Sequence, residues 1–314
     1  MLKVLLVKTS SLGDVVHNLP VATDIRARFP DACIDWAVEE AYAPLVRLHP
    51  AIRRVIPVAI RRWRQRLLGP ATWAEIAVLR RMFRSERYDA VIDTQGLIKS
   101  ALLARIARGR HHGFDAASAR EALAARFYEV THHVERDQHA VLRNRALAAS
   151  ALGYRAEAGA GCGIDAATAA REGFAVLLHS TSRADKLWPE ERWVALGREL
   201  EAAGRRCVLP WGSEEERRRS ARIASLLGDA LVPGGMPIDE LAALLSRASA
   251  VIGVDTGLTH LAAALGVPVA AIYGGTDPAL TGVYGAPRAR NLGAPGRVPE
   301  VAEVSAALRE LGVL

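Results

Sequence analysis

Short β-branched or apolar runs alternate with longer amphipathic ones along nearly the whole chain. In the first half, residues 3–8 precede 19–29, 34–38 precede 43–48, 54–59 precede 72–83, and 90–93 precede 97–107. The second half repeats the rhythm: 175–179 before 189–203, 206–210 before 214–227, 230–232 before 238–246, and 251–254 before 258–265, with 269–273 following. Strand-length runs separated by helix-length runs are the signature of βαβ units, in which parallel strands need a helical crossover. The alternation therefore dictates an α/β fold of two Rossmann-like domains in tandem, each on a parallel sheet. At 314 residues the chain has the length for two such cores. The Ala/Gly-rich stretch 156–163 suits a linker, so the expected domains are 1–157 and 158–314, with the last amphipathic run, 301–311, free to pack on either.

No apolar stretch approaches the roughly 20 residues of a membrane span, and the run 4–7 is stopped by Lys8 and Asp14 before it could form a secretory signal. A cytoplasmic location is expected. Cys33, Cys162 and Cys207 are too scattered for a disulfide framework or a zinc site and read as buried hydrophobes. The doublets His111, His112 and His132, His133 would point to opposite faces of a strand, which weakens a metal reading. Net charge is +7 and unevenly spread: residues 1–155 hold 25 Lys and Arg against 15 Asp and Glu, residues 156–314 hold 16 against 19. A field of that sign on the first half draws anions: nucleic acid, an acidic membrane surface or a phosphorylated substrate.

In doubly wound sheets ligands bind beyond the carboxyl ends of the strands, and two such domains in tandem put a cleft between those ends. The candidate motifs all fall there. Asp255, Thr256, Gly257, Leu258, Thr259 and His260 join a strand to a helix whose first N–H groups and dipole suit a phosphate. A second such loop opens the chain, Lys8, Thr9, Ser10, Ser11, Leu12, Gly13, Asp14. Asp14 reads either as a helix cap or as a general base on an acceptor hydroxyl, tuned by Lys8 or His17. Lys186, in the loop His179 to Pro189 with Thr181 and Ser182, reads either as a solvated charge or as a diphosphate ligand above a helix that Pro189 starts. Arg61, Arg62, Arg64 and Arg66 surround Trp63 and form either a solvated face or an anion clamp, with Arg120, His139 and Arg143 as weaker companions.

Several classes lose support. The chain lacks G-x-G-x-x-G and G-x-x-x-x-G-K-[ST], against a nicotinamide enzyme and a P-loop nucleotidase. It has no D-x-D pair to hold a metal under a diphosphate, so any diphosphate would be neutralised by protein cations and helix termini. A basic nucleic-acid-binding module is the non-enzymatic alternative, but no such motif is present and aromatics are only 5% of residues.

The opening Lys3 to Asp14, the block Val55 to Arg64, the segment Asp93 to Ser100, and the C-terminal segments Lys186 to Pro189, Leu209 to Gly212, Asp255 to His260 and Tyr273 to Pro278 together resemble glycosyltransferase family 9, the lipopolysaccharide heptosyltransferases. The resemblance spans nearly the whole chain. It implies a GT-B fold and an inverting transfer of L-glycero-D-manno-heptose from ADP-heptose onto the first Kdo sugar of Kdo2-lipid A, with neither metal nor cofactor. Heptosyltransferase II or another ADP-sugar glycosyltransferase of the same family is the nearest alternative. The resemblance makes Asp14 the general base. It puts Thr181, Ser182 and Lys186 on the donor diphosphate, Asp255, Thr256, Gly257 and His260 in the donor pocket, Glu216 at the ribose and Met236 at the adenine. Arg61, Arg64 and Arg120 match positions for the anionic acceptor. Ser182 stands where a Thr is common in the family, and Gln65 where a Lys can occur. With a lipid acceptor, peripheral attachment to the cytoplasmic face of the inner membrane through the basic half is expected.

Overall fold

The computed structural model describes residues 1–66, 69–157, 159, 161–164, 170–181 and 183–314. They form two compact units, Met1–Ile164 and Asp165–Leu314. The first is built on β1 (Lys3–Val7), β2 (Cys33–Glu39), β3 (Ile52–Val58), β4 (Arg87–Asp93), β5 (Arg108–Phe114) and β6 (Val130–His132). Every pairing in the sheet is parallel, in the order β3-β2-β1-β4-β5-β6. The second holds β7 (Phe174–Leu178), β8 (Arg206–Val208), β9 (Ala230–Leu231), β10 (Ala250–Val254), β11 (Val269–Tyr273) and β12 (Ala289–Gly293). Its order, β9-β8-β7-β10-β11-β12, is the same permutation and again all parallel. Both are the doubly wound order in which the direction of winding reverses once, between β1 and β4 in one sheet and between β7 and β10 in the other.

The central strands are apolar on both faces because helices cover both. Val4, Leu5, Leu6 and Val7 of β1 and Ala250, Val251, Ile252 and Val254 of β10 are fully buried. Leu79 and Phe83 of the helix Pro70–Arg84 pack with Leu5, Val7, Ile56 and Val58 in one core. Trp188, Trp193 and Leu196 pack with Leu177, Ile252 and Ile272 in the other. The final helix, Val301–Glu310, buries Val304 and Leu308 in that second core. The division between the units falls after Ile164 rather than after residue 157. Gly163 explains the offset: at φ +69° its backbone lies so close to the first unit that a Cβ there would meet His49 Nε2 at 2.4 Å and Thr23 Oγ1 at 2.6 Å.

The expected elements are present with ends shifted by a few residues, and others appear that the hydrophobic pattern does not announce: β5, β6, β12, the short helix Ile60–Gln65 and the helix Ala140–Leu152. Pro189 is the N-cap of the helix Glu190–Ala202, not its first residue. Cys207 is buried, but Cys33 and Cys162 are only partly so. His111 and His112 do diverge, the first to Glu129 at 3.3 Å and the second to His132 at 3.1 Å. Among the described residues no helix is long and apolar enough to cross a membrane.

The helix Ala140–Leu152 is tied to Leu19–Arg28 by a buried fork: Arg145 Nε donates to Asp24 Oδ2 at 2.7 Å and Nη2 to Oδ1 at 3.0 Å. Removing one member strands the other charge in the interior. Asp24→Ala is expected to cost about 3–5 kcal/mol, and the double change Asp24→Leu, Arg145→Met far less. Urea unfolding of the single and double variants measures the difference; equal losses would remove the pair from the account.

Candidate active site

In each unit some of the candidate residues, Asp14 in the first and Thr181, Lys186 and Asp255 to His260 in the second, collect at the carboxyl end of the sheet where the winding reverses. In the first, β1 runs into Lys8 and Thr9, and β4 into Thr94, Gln95 and Gly96. Gln95 clamps the first loop to the second: its Oε1 accepts from Thr9 N at 2.8 Å and Ser10 N at 3.3 Å, and its Nε2 donates to Ser10 O. Gly96, at φ +68°, lets the chain pass under the loop that carries Arg120, since a Cβ there would sit 3.3 Å from Arg120 N. Ser11 then starts the short helix Leu12–Val16, and Asp14 Oδ2 accepts from Ser11 N at 3.0 Å, a capping box. The N-cap is thus Ser11, and Asp14, weighed from sequence as the cap, stands instead at the third helical position and closes the box.

Asp14 has further partners that a plain cap does not need. Arg120 grips it with both terminal nitrogens, Nη1 to Oδ2 at 3.3 Å and Nη2 to Oδ1, while Lys8 Nζ stands 3.8 Å from Oδ1. Burial raises its pKa, but the charges of Lys8 and Arg120 and the bonds from Arg120 and Ser11 outweigh it, so the carboxyl is held well below the usual carboxylate range. Lys8 is itself buried, its ammonium donating to Thr94 O at 2.8 Å and Asn144 Oδ1 at 3.4 Å. Burial pulls its pKa down to about 8, against the opposing pull of Asp14. His17, the other proposed tuner, is buried with its ring edge against His139 at 5.4 Å.

Of the arginines expected to meet an anion, only Arg120 touches Asp14. Arg61 and Arg64 are exposed on the helix Ile60–Gln65 that follows β3, two strands along the same edge. Arg61 donates its backbone N–H to Glu39 and lies over the Tyr42 ring, its Cζ 5.5 Å from the centroid. Arg62, by contrast, is neutralised by Glu40 and Glu75. A clamp of four arginines is thus reduced. Sequence reasoning also passed over the pocket beside Asp14, lined by Lys8, Gln95, Phe114, Ser118, Arg120, Arg143 and Asn144. The sequence marks Asp93 to Ser100 only as a matching segment, and the position of Gln95 at a strand end is the signal it offers.

In the second unit the same place is occupied by the ends of β7 and β10. Asp255 is the hub: Oδ2 accepts from Lys186 Nζ at 2.6 Å and Thr276 Oγ1 at 2.5 Å, and Oδ1 lies 3.4 Å from His260 Nε2. Thr181 Oγ1 donates to the Asp255 carbonyl at 3.4 Å. Burial raises the Asp255 pKa and the bonds from His260, Lys186 and Thr276 lower it further, leaving a firm carboxylate. Thr256 is the N-cap of the helix Gly257–Ala264, whose first residue is Gly257. That helix approaches the sheet at Gly253, where a Cβ would meet Thr259 Oγ1 at 2.2 Å. Glu216, half-buried, accepts from Gly212 N at 2.7 Å; Met236, also half-buried, lies one residue beyond Gly235, which faces the Trp211 ring. Ser182 lies outside the described residues.

The model of glycosyltransferase family 9 (heptosyltransferase) matches residues 76–307. The chain is 46% identical over 292 residues to lipopolysaccharide heptosyltransferase 1 of Escherichia coli K12, covering 90% of this chain and 91% of that protein. To the protein of the same name from Pseudomonas aeruginosa it is 44% identical over 290 residues, 90% and 82% covered. The solved structure of E. coli heptosyltransferase WaaC with ADP superposes with a TM-score of 0.92 at 42% identity, covering 99% of this chain and all of that one. With that match, two such sheets with polar loops at both winding reversals are the GT-B fold of a glycosyltransferase. The chain belongs to glycosyltransferase family 9 and is a heptosyltransferase of lipopolysaccharide biosynthesis.

Lys8 yields a direct check on the electrostatics. Its pKa is lower folded than unfolded, so between about pH 8 and 10.5 the unfolded chain holds the extra proton and this group makes folding more favourable as pH rises. Side-chain NMR of Lys8 is expected to show titration near pH 8; a midpoint at or above the ordinary lysine value would mean that Asp14 outweighs burial.

Proposed function

We propose that the protein transfers L-glycero-D-manno-heptose from ADP-heptose to the first Kdo of Kdo2-lipid A, with inversion and without metal. The observation that carries this reading is the contrast between the two strand-end sites. One presents an ionised carboxylate on a hydroxyl-rich loop among cations; the other presents a lysine and a helix start, suited to a diphosphate. The name of the solved relative bound to ADP, at 42% identity, supports the same donor.

In this mechanism Asp14 removes the proton from the acceptor hydroxyl as its oxygen attacks the anomeric carbon on the face opposite the leaving ADP. Lys186, Thr181, Ser182 and the N–H groups at Thr256 and Gly257 meet the charge that grows on the departing diphosphate. Asp255 is better suited to orienting than to touching phosphate, since its oxygens already accept from Lys186 and Thr276 and face His260. Glu216 and Met236 hold the ribose and adenine, and Arg61, Arg64 and Arg120 the acceptor's anionic groups. The basic first half favours peripheral attachment to the cytoplasmic face of the inner membrane, where that acceptor lies.

Asp14→Ala is expected to lower kcat by about 10²- to 10⁴-fold while ADP affinity stays within about twofold. Lys186→Ala is expected to raise the donor KM at least about tenfold, the loss of one charge-assisted bond. The decisive assay incubates the protein with ADP-heptose and Kdo2-lipid A in EDTA and weighs the lipid by mass spectrometry. One added heptose is expected; an unchanged lipid, or full turnover by folded Asp14→Ala, would overturn the reading.

A further inference from the structure

We infer that the outer face of the helix Pro70–Arg84, from Trp73 to Arg80, Arg81 and Arg84 and continued by Arg87 and Arg108, is the surface that docks on an anionic lipid bilayer. This rests on the peripheral attachment proposed above and names the part of the basic half that makes it. Leu79 and Phe83 turn the inner face of the helix into the core. At 3.6 residues per turn, Trp73, Ala77, Arg80, Arg81 and Arg84 share an arc of about 100° on the side away from it. All of them are exposed, Trp73 at 59% and its neighbour Val78 at 48%. Tryptophan is mostly buried in soluble proteins, and a ring left this open marks a surface that meets something other than water.

The charge on that face is not balanced. The only acid of the helix, Glu75, is turned to Arg62 and Trp63, which donate to it at 2.8 and 2.7 Å. The acids that follow are also taken, Glu86 by Lys3 and Arg53, and Asp89 by the backbone N–H of Lys3. Among the described residues Arg80, Arg81, Arg84, Arg87 and Arg108 stand in no ion pair, whereas Arg105 nearby has Glu129. The helix dipole accounts for a cation in the last turn. It accounts neither for Arg87 and Arg108, register partners on the first residues of β4 and β5, nor for Trp73 at the other end.

The patch is a strip. Trp73 lies about 16 Å along the helix from Arg84. The helix leads into β4 and runs back along the sheet, so the ring is nearer the carboxyl edge and the guanidinium groups gather at the amino edge. Such a strip fits a flat anionic surface: the ring settles at headgroup level while the arginines reach lipid phosphates. A single strand of nucleic acid would need successive aromatics to stack on, and the strip offers one. A second copy in a two-fold contact would set like charge against like. With the strip on the bilayer the strands lie along the membrane plane, and the edge that carries Asp14 opens along the surface.

The test measures co-sedimentation of the intact protein, without either substrate, with vesicles of phosphatidylcholine alone and with about one-third phosphatidylglycerol. The anionic vesicles are expected to bind at least about tenfold more tightly. Each basic side chain near such a surface changes partitioning roughly fivefold, so Arg80→Gln, Arg81→Gln and Arg84→Gln together are expected to weaken binding at least about twentyfold. Trp73→Ala is expected to weaken it about fivefold at low and high salt alike. Both variants change exposed positions and are expected to keep kcat on a deacylated, soluble Kdo acceptor within about twofold of the parent. Vesicle binding that the triple variant leaves unchanged would keep peripheral attachment and overturn this surface. A loss confined to Arg61→Gln with Arg64→Gln would do the same by moving the contact to the carboxyl edge. No binding by the parent to anionic vesicles would overturn the attachment itself. Retention on RNA in place of vesicles, or a dimer that Trp73→Ala dissociates while vesicles stay unbound, would give the strip to another partner and overturn the proposal. Absence of transfer to the soluble acceptor with vesicle binding intact would count against the proposed reaction alone.

Discussion

A parallel sheet reverses its winding once, and at that point the crossovers leave in opposite directions, so the strand ends between them stay uncovered. Both sheets here reverse at the same place in their order, between β1 and β4 and between β7 and β10. Backbone amides, helix starts and the side chains of two loops are therefore exposed together at each carboxyl edge. Lys8 and Thr9 leave one strand and Thr94 and Gln95 its neighbour; Thr181 and Lys186 follow one strand and Asp255 and Thr256 end the next.

Polar groups at such openings are partly removed from water, and their charges have to be balanced locally. Lys8 shows the cost most clearly. Its ammonium is almost wholly buried, and a backbone carbonyl, an amide oxygen and a carboxylate 3.8 Å away do not keep its pKa at the ordinary value. A structural lysine could be replaced there by a neutral side chain without that penalty. The carboxylate that balances it is Asp14, which Arg120 also holds.

Much of this was legible in the sequence, for reasons that can be stated strand by strand. β1, β7, β10 and β11 are buried on both faces, so they are continuous apolar runs, and the loops that follow them could be found from those runs alone. β5 reads Arg-Gly-Arg-His-His-Gly-Phe and gives no such signal. Its Gly113 is there because the Tyr128 ring lies against the backbone, where a Cβ would meet it at 2.2 Å. β12 carries Arg290 and Asn291 on a sheet edge, half in water. The helix Ala140–Leu152 hides for the opposite reason: Asn144 and Arg145 are polar yet buried, so its inward face looks like an outward one. For the site the limit was distance along the chain. Asp14 and Lys186 sit in loops that local pattern reveals, whereas Lys8 meets Asn144 across 136 positions and Asp14 meets Arg120 across 106. Nothing local encodes those meetings; the sequence offers Arg120 and Arg143 only as weaker companions of the Arg61 to Arg66 run.

The two aspartates make the last point. Asp14 and Asp255 each stand at or beside the start of a short helix, each is mostly buried, and in each the surrounding donors overcome burial and hold the carboxylate ionised. Their donors differ in kind. Asp255 is held by Lys186, Thr276 and a buried His260, with side-chain exposure of 16% for the lysine and 5% for the histidine. That set is closed, and a carboxylate so held orients its lysine and keeps it from wandering. Asp14 is held by Arg120, whose side chain is 45% exposed and which lines a pocket with Lys8 and Arg143. Solvent therefore reaches the Arg120 guanidinium more than it reaches the Lys186 ammonium. Two similar residues in two copies of one topology are thereby held differently, one by a closed set of donors and the other by a half-exposed arginine.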